Sequence, residues 1–255
     1  MNSNDKKPYK KAKTAEIPKK STIRLNKYLS NAGLCSRREA DEHIKMGLVE
    51  VNGKVVLEMG YQVKPNDQIK YDGAQIRKNP PVYVLLNKPK GFLATLKGGR
   101  MKKTVQELVR LASNERLLPV GDMGRPHTGL ILLTNDDELR EKLTRSQKIP
   151  MIYQVILEKN VNLTTQNKLT EGVVLGEHSY RLKALSHIEG KPKNEMGIEV
   201  HSLTPSTILK LFENQGNKVI LLDRVVLGGL TKKELPRGNW RLLTTKEIGF
   251  LKMFP

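Results

Sequence analysis

Between residues 21 and 75 the hydrophobic pattern changes from helical spacing to strand alternation. Apolar residues first recur three to four positions apart, which predicts a helix that ends at Gly33. Ser36 is followed three residues later by a glutamate, and this capping box predicts a second helix that ends at Gly47. Valines then alternate with polar residues on both sides of Asn52-Gly53, a pair typical of a hairpin turn. We expect a small domain of two helices and short strands.

From residue 82 to residue 255 the pattern predicts a larger domain in which strands and helices mix. Apolar runs of strand length lie at Val82–Leu86, Leu130–Leu133, Tyr153–Leu157, Tyr180–Leu185, Ile198–Leu203 and Val219–Leu222. Helices are predicted at Thr104–Ala112, Asp136–Leu143, Thr164–Leu169, around Ile208–Phe212, and after a capping box of Thr244 and Glu247. Because the two kinds of element do not alternate strictly, the expected fold is α+β with a mainly antiparallel mixed sheet. Residues 76–81 are expected to link the two domains.

The net charge of the chain indicates its class of partner. Lys and Arg number 45 against 26 Asp and Glu, a formal net charge of +19. An excess this large favours a polyanion, most commonly nucleic acid. A membrane surface is a weaker alternative, because no basic amphipathic helix with an aromatic face is present. Residues 1–20 form a lysine-rich tail with too few apolar residues to fold, and this tail is expected to be disordered.

The cysteine and histidine content bears on compartment and cofactors. The single cysteine, Cys35, cannot form an internal disulfide and fits a reducing cytoplasm. His178, His187 and His201 lack the spacing of metal ligands. No apolar run reaches the roughly 20 residues of a membrane helix, and the N-terminus has no secretory pattern. We therefore expect a cytoplasmic protein with no metal, no other cofactor and no membrane partner.

Basic residues of the small domain have a specific arrangement. Arg37 and Arg38 fall in the first turn of the second predicted helix, where cations oppose the helix dipole at roughly 0.3–1 kcal/mol each. The free N–H groups of that turn attract phosphate, so these arginines make sense if an anion binds there. Surface charges that are merely tolerated are the alternative.

Three segments of this domain have a recognisable order: Arg24–Leu29, Ser36–Ala40 and Val51–Gly53. They resemble the small RNA-binding domain first seen in ribosomal protein S4. The resemblance implies binding of structured RNA through Arg24, Lys27, Arg37, Arg38 and Lys45.

Five segments of the larger domain also stand in a recognisable order: Leu86–Gly91, Lys103–Val105, Pro119–Gly121, Gly129–Asp136 and Leu235–Arg241. They resemble the pseudouridine synthases that modify ribosomal RNA, in the branch that carries an N-terminal domain of the kind just described. The resemblance spans residues 82–255. It implies a basic cleft that binds RNA through Arg100, Lys102, Lys103 and Arg125.

The loop that would hold the family's chemistry is unusual in this chain. The family has Gly-Arg-Leu-Asp at its start, and the flanking Pro119–Gly121 and Gly129 put the essential aspartate at Gly124. Asp122 is the nearest carboxylate in the loop, up to about 7 Å away along the chain. Gly124 has a second explanation, a turn that needs positive φ. His127 is either a general base or a surface residue.

Two further family positions differ. A tyrosine that packs against the target base is present as Tyr153, but Met151 replaces the lysine two residues before it. The arginine that pairs with the catalytic aspartate is replaced by Leu209. Loss of an acid together with its cationic partner is coherent, because either one alone would be an unpaired buried charge.

These observations leave three hypotheses. The first is a catalytically inactive synthase homologue that binds ribosomal RNA, acts on the ribosome or an assembling subunit, and is a monomer elsewhere. The alternative is an active synthase with a rearranged loop that uses Asp122. The third is a general RNA chaperone that acts mainly through the lysine tail.

Overall fold

The computed structural model describes residues 22–64, 66–76, 80–96 and 103–255. The chain divides into two compact units, residues 1–77 and residues 78–255. The expected lysine-rich tail lies outside the described residues, and so do residues 77–79 of the expected linker.

The first unit combines two helices with short antiparallel strands. Its elements are β1 (Ile23–Arg24), α1 (Leu25–Asn31), α2 (Arg37–Lys45), β2 (Val49–Val51), β3 (Lys54–Val55), β4 (Gln62–Val63), β5 (Ile69–Tyr71) and β6 (Ala74–Gln75). Four strands form a sheet in the order β3-β2-β5-β6, and β1 pairs with β4. One core joins the helices to the sheet through Leu25, Leu29, Ala40, Ile44, Val49, Val51 and Ile69.

Local sequence explains where α2 begins. The Ser36 hydroxyl accepts a hydrogen bond from the Glu39 N–H at 3.3 Å, and the Glu39 carboxylate accepts one from the Ser36 N–H at 2.7 Å. Two backbone donors of the first turn are thus satisfied, which confirms the predicted capping box. Asn26 of α1 donates to the Asp41 carboxylate of α2 at 2.8 Å.

The second unit is built on one large sheet. Its elements are β7 (Tyr83–Lys88), α3 (Val105–Leu108), β8 (Leu118–Pro119), β9 (Thr128–Thr134), α4 (Asp137–Arg145), β10 (Pro150–Leu157), α5 (Leu163–Glu171), β11 (Val173–Leu175), β12 (His178–Tyr180), β13 (Ala184–His187), β14 (Glu195–His201), α6 (Pro205–Asn214), β15 (Val219–Leu227), β16 (Leu230–Thr231), β17 (Trp240–Leu242) and α7 (Thr245–Met253). Among the described residues, nine strands form the sheet, in the order β13-β14-β10-β15-β9-β7-β17 with β16 beside β15 and β8 beside β9.

The centre of this sheet is covered on both faces. In β7, Tyr83 and Leu85 belong to one hydrophobic cluster, whereas Val84 and Leu86 belong to another. Successive residues of a strand point to opposite faces, so the two clusters lie on opposite sides of the sheet. This burial explains why β7 and β9 are nearly continuous apolar runs.

The expected fold class is confirmed. Among the described residues, the pairing of β9 with β15 is parallel and the other pairings of the large sheet are antiparallel. None of the helices in the described ranges is long and apolar enough to cross a membrane.

Two predicted elements differ from the structure. The helix expected over Thr104–Ala112 shortens to α3, because Leu111 at the end of the stripe is 84% exposed and has no packing to hold a longer helix. The strand expected over Tyr180–Leu185 is interrupted at Leu182. Its N–H donates to the Leu169 carbonyl at 2.8 Å and its side chain is buried, so the chain follows the end of α5 between β12 and β13.

Candidate active site

The candidate site is built where β9 meets β15 in parallel register. Gly129 faces Arg224 across the two strands, and its φ is +105°. A Cβ at Gly129 would lie 2.3 Å from both the N and the O of Arg224. Only glycine allows the backbones to come this close. The C-terminal end of the loop formed by residues 121–128, called here the 121–128 loop, is therefore fixed against β15.

A buried carboxylate ties this junction to the C-terminal part of the chain. Asp223 of β15 accepts hydrogen bonds from Thr128 at 2.8 Å and from two nitrogens of Arg237 at 2.8 and 2.9 Å. Lys232 also pairs with this carboxylate. The Asp223 side chain is 4% exposed. Burial would raise the pKa of Asp223, but hydrogen bonds from Arg237, Lys232 and Thr128 outweigh burial and hold the pKa below its usual range.

The end of β7 is hydrogen-bonded to the segment that contains Leu235 and Arg237. Asn87 donates to the Leu235 carbonyl at 2.7 Å and accepts from Arg237 at 2.7 Å. Lys88 is fully buried, and its ammonium donates to the carbonyl oxygens of His127 at 2.5 Å and Pro89 at 3.2 Å. Burial, with the positive charges of Arg237 and Arg125 nearby, lowers the pKa of Lys88 to about 8.

The 121–128 loop is extended near its start, where Met123 pairs with Ala94. Met123 is buried and exchanges backbone hydrogen bonds with Ala94 at 2.9 and 3.0 Å. Asp122 is exposed and has no hydrogen bond or ion pair with any residue that the structure describes. Since side chains alternate along an extended segment, we expect Asp122 and a side chain at residue 124 to lie on the same face, with their Cα atoms about 6.6 Å apart.

Gly124 is not a residue that its backbone conformation requires. Its φ lies outside the positive range that favours glycine, so the explanation by a strained turn is wrong. A Cβ there would lie 3.3 Å from Cδ2 and 3.6 Å from Nε2 of His127. The imidazole of His127 thus stands where a side chain at residue 124 would project.

Of the four basic residues expected to bind RNA in the large domain, Arg125 and Lys103 are in contact. The Arg125 guanidinium donates to the Gly91 carbonyl at 3.0 Å and to the Lys103 carbonyl at 3.5 Å, and both Arg125 and Lys103 are exposed. Arg100 and Lys102 lie outside the described residues.

Tyr153 and Met151 are in contact inside the core. Tyr153 is completely buried, and its hydroxyl accepts a hydrogen bond from Arg224 Nε at 2.8 Å while donating to the Met151 sulfur at 3.8 Å. Burial raises the pKa of Tyr153, against the opposing effect of Arg224. Leu209 of α6 packs against the same hydrophobic cluster. This tyrosine has no surface open to a base in the structure described.

The basic residues expected in the first unit lie on its two helices or, for Arg24, directly before the first. Arg24 precedes α1, Lys27 lies within it, Arg37 and Arg38 are exposed in the first turn of α2, and Lys45 is exposed at the end of α2. Arg37 and Arg38 thus lie at a helix N-terminus, a position that generally favours phosphate.

Two protein-family models match the chain, one in each unit. The family model for the S4 domain matches residues 23–69, and the model for RNA pseudouridylate synthase matches residues 82–222. The chain belongs to the RNA pseudouridylate synthase family.

Relatives in this family match the chain over both domains. The chain is 33% identical to ribosomal large subunit pseudouridine synthase B of Bacillus subtilis (strain 168), over 90% of this chain and 95% of that protein. It is 31% identical to dual-specificity RNA pseudouridine synthase RluF of Escherichia coli (strain K12), over 89% and 78%. A crystal structure of a pseudouridylate synthase superposes with a TM-score of 0.62 at 25% identity, covering 90% of this chain and 99% of that one.

These relatives correct one expectation. The hypothesis of a catalytically inactive homologue is wrong, because the similar proteins that span both domains are named as synthases. The prediction of an inactive protein rested on Gly124, Met151 and Leu209.

Three residues of the candidate site were missed by sequence reasoning: Asp223, Arg224 and Arg237. A signal was available for two of them, since Asp223 and Arg224 interrupt an otherwise apolar strand. Charged residues inside a buried strand require partners. Arg237 lies within a segment recognised for its resemblance, but no pattern pairs it with a carboxylate 14 residues earlier.

Proposed function

We propose that this protein is a pseudouridine synthase that acts on ribosomal RNA and uses Asp122 as its reactive carboxylate. The observation that carries the proposal is the exposed Asp122 carboxylate, on the face of the loop toward which residue 124 also points. Relatives named as synthases over about 90% of this chain support the reaction. The name of the Bacillus subtilis relative supports ribosomal RNA as substrate.

The reaction needs a carboxylate near the sugar. Isomerisation of uridine breaks the bond between N1 and C1′ and forms a bond between C5 and C1′. A carboxylate at C1′ can act as a nucleophile or stabilise positive charge that develops on the sugar. Asp122 suits this role because no described residue holds it in an ion pair.

Cations around the site suit an RNA substrate. Lys88, Arg125 and Arg237 lie close enough for the two arginines to lower the Lys88 pKa. Arg125 and Lys103 are exposed beside the loop, and we propose that they contact the phosphate backbone together with Arg100 and Lys102. The small domain would add Arg24, Lys27, Arg37, Arg38 and Lys45 as a second RNA contact. We also propose that the protein is a monomer in the absence of RNA.

The proposal is tested by incubating the purified protein with ribosomal RNA transcribed without modifications. The RNA is digested to nucleosides, and pseudouridine is measured by chromatography. We expect pseudouridine from the wild type, none above background from Asp122→Asn, and wild-type yield from Glu177→Gln, an exposed control in the turn between β11 and β12.

Two outcomes would contradict the proposal in different ways. A wild-type protein that forms no pseudouridine in any ribosomal RNA overturns the function. A fully active Asp122→Asn variant leaves the function intact and overturns the role of Asp122.

A further inference from the structure

His127 occupies a position in the loop that neither the family motif nor the proposed role of Asp122 explains. The Cδ2–Nε2 edge of its imidazole lies 3.3 to 3.6 Å from the position that a Cβ of Gly124 would take. Met123, between Asp122 and Gly124, points into the core. By alternation, the Asp122 side chain then projects on the same face as a side chain at residue 124 would. An imidazole and a carboxylate therefore share this face.

The backbone of His127 is fixed while its ring remains available. Lys88, which is fully buried, donates to the His127 carbonyl at 2.5 Å, and the following Thr128 is held by Asp223. Neither ring nitrogen has a hydrogen bond with a residue that the structure describes. Ring nitrogens that make no hydrogen bond within the described protein can exchange a proton with a bound substrate that comes within reach.

The surroundings keep this imidazole in its neutral form near pH 7. Burial lowers the pKa of His127 below its ordinary value, and the positive charge of Lys88 lowers it further. Among the described residues, the charged groups around the loop are Lys88 from β7, Lys103 before α3, Asp223 from β15 with its partners Lys232 and Arg237, and Asp122 and Arg125 in the loop itself. A neutral imidazole can accept a proton.

The isomerisation requires a proton acceptor. When the N1–C1′ bond breaks, its electron pair stays on the uracil, and C5 then forms the new bond to C1′. C5 still carries its hydrogen at that point, and N1 lacks one. One proton must therefore leave C5 and one must reach N1, with no change in the overall composition.

We propose that His127 carries this proton in the pseudouridine synthase reaction. The imidazole accepts the proton from C5 after the new bond has formed, and the imidazolium returns a proton to N1. The ring is neutral again at the end of the cycle. This assignment rests on the proposed function, and it makes His127 a second working residue of the loop beside Asp122.

The test uses RNA that carries deuterium at C5 of its uridines, together with unlabelled RNA. His127→Gln keeps a side chain of similar size without a titratable ring, and His178→Gln is a matched control at an exposed position in β12. We expect the rate of His127→Gln to fall roughly 100-fold or more. The variant should turn over deuterated RNA more slowly than unlabelled RNA, because removal of the C5 proton has become slow.

Two further measurements separate proton transfer from a positional role. The wild-type kcat/KM should fall as the pH drops through the lowered pKa of His127, and this limb should be absent in His127→Gln. In His127→Ala, added free imidazole should restore part of the rate. RNA affinity should be unchanged in both variants.

The outcomes distinguish the two proposals. Absence of product from the wild type overturns the proposed function and this inference with it. Product from the wild type, with a His127→Gln rate that is unchanged or that shows neither an isotope effect nor a changed pH profile, overturns the role of His127 alone. Failure of imidazole to rescue His127→Ala, when that variant remains folded, also counts against it.

Discussion

The 121–128 loop and the cluster that holds its end differ in how their polar groups are satisfied. In the loop, Asp122 is exposed without a described partner, and the His127 ring has no described hydrogen bond. In the cluster, the buried Asp223 carboxylate accepts from Thr128, Lys232 and Arg237. The chain thus combines a buried cluster whose polar groups are hydrogen-bonded with a loop in which the side chains of Asp122 and His127 have no described hydrogen-bond partner. Such a cluster can fix the backbone of the loop and leave the Asp122 and His127 side chains unpaired.

The largest expected effect comes from a substitution at Gly129, where β9 pairs with β15. Gly129→Ala should destabilise the large domain by about 4 kcal/mol or more, because its Cβ would overlap Arg224 backbone atoms at 2.3 Å and its φ is +105°. Urea unfolding measures this loss. Gly124→Ala is the matched control and should change stability by less than about 1 kcal/mol, since its Cβ meets only a side chain at 3.3 Å. Equal stability of the two variants would contradict the comparison.

The next effect concerns the buried carboxylate. Asp223→Asn should cost about 2 kcal/mol, because it removes the charge of a buried carboxylate that accepts hydrogen bonds from Arg237 and Lys232, both of which are partly exposed. Glu199→Gln removes an exposed ion pair with His201 and should change stability by at most about 0.5 kcal/mol. Both values come from urea unfolding at neutral pH.

The same variant has a predicted pH dependence. The folded-state pKa of Asp223 is lowered, so its contribution to stability is complete above its unfolded pKa of about 3.9. That contribution is lost as the pH falls through the lower folded-state pKa. The difference between the wild type and Asp223→Asn should therefore shrink in acid. A difference that grows below pH 4 would contradict the role assigned to this carboxylate.

A smaller effect tests the loop itself. If Asp122 and residue 124 share one face, a carboxylate moved between them should retain part of its function. The double variant Asp122→Asn with Gly124→Asp should form pseudouridine roughly tenfold faster than Asp122→Asn alone, about 1.4 kcal/mol in activation free energy. Asp122→Asn with Gly124→Asn is the control. No gain over this control would show that the two positions are not equivalent.

The smallest effect per substitution is expected in the first unit. Arg37→Ala with Arg38→Ala should weaken binding of ribosomal RNA and reduce the slope of log affinity against log salt by about 0.7–0.9 per lost phosphate contact. Arg145→Ala, an exposed arginine in α4, should leave that slope unchanged. Titrations at several salt concentrations measure it, and an unchanged slope in the double variant would exclude these two arginines from the RNA contact.

Local features of this structure could be predicted from sequence, whereas its buried polar pairs could not. The capping boxes at Ser36 and Thr244 are confirmed because they depend on residues three positions apart. The pairing of Asn87 with Arg237 joins residues 150 positions apart, and only the folded sheet brings them together. For the same reason the sequence placed Tyr153 against a base, whereas the structure buries it beneath Arg224.

Position 124 shows a second limit of sequence reasoning. A motif assigns one position to each function, so its empty position suggested a lost activity. Side chains act in three dimensions, and under our proposal Asp122 supplies the carboxylate, because an extended segment presents residues 122 and 124 on one face.

The central claim is tested most directly with ribosomal RNA that carries tritium at C5 of its uridines. Formation of each pseudouridine releases one tritium to water, so release counts turnovers without identifying the modified site beforehand. The account predicts release by the wild-type protein and none above background by Asp122→Asn at equal RNA binding. Absence of release from the wild type, or equal release from both proteins, would contradict it.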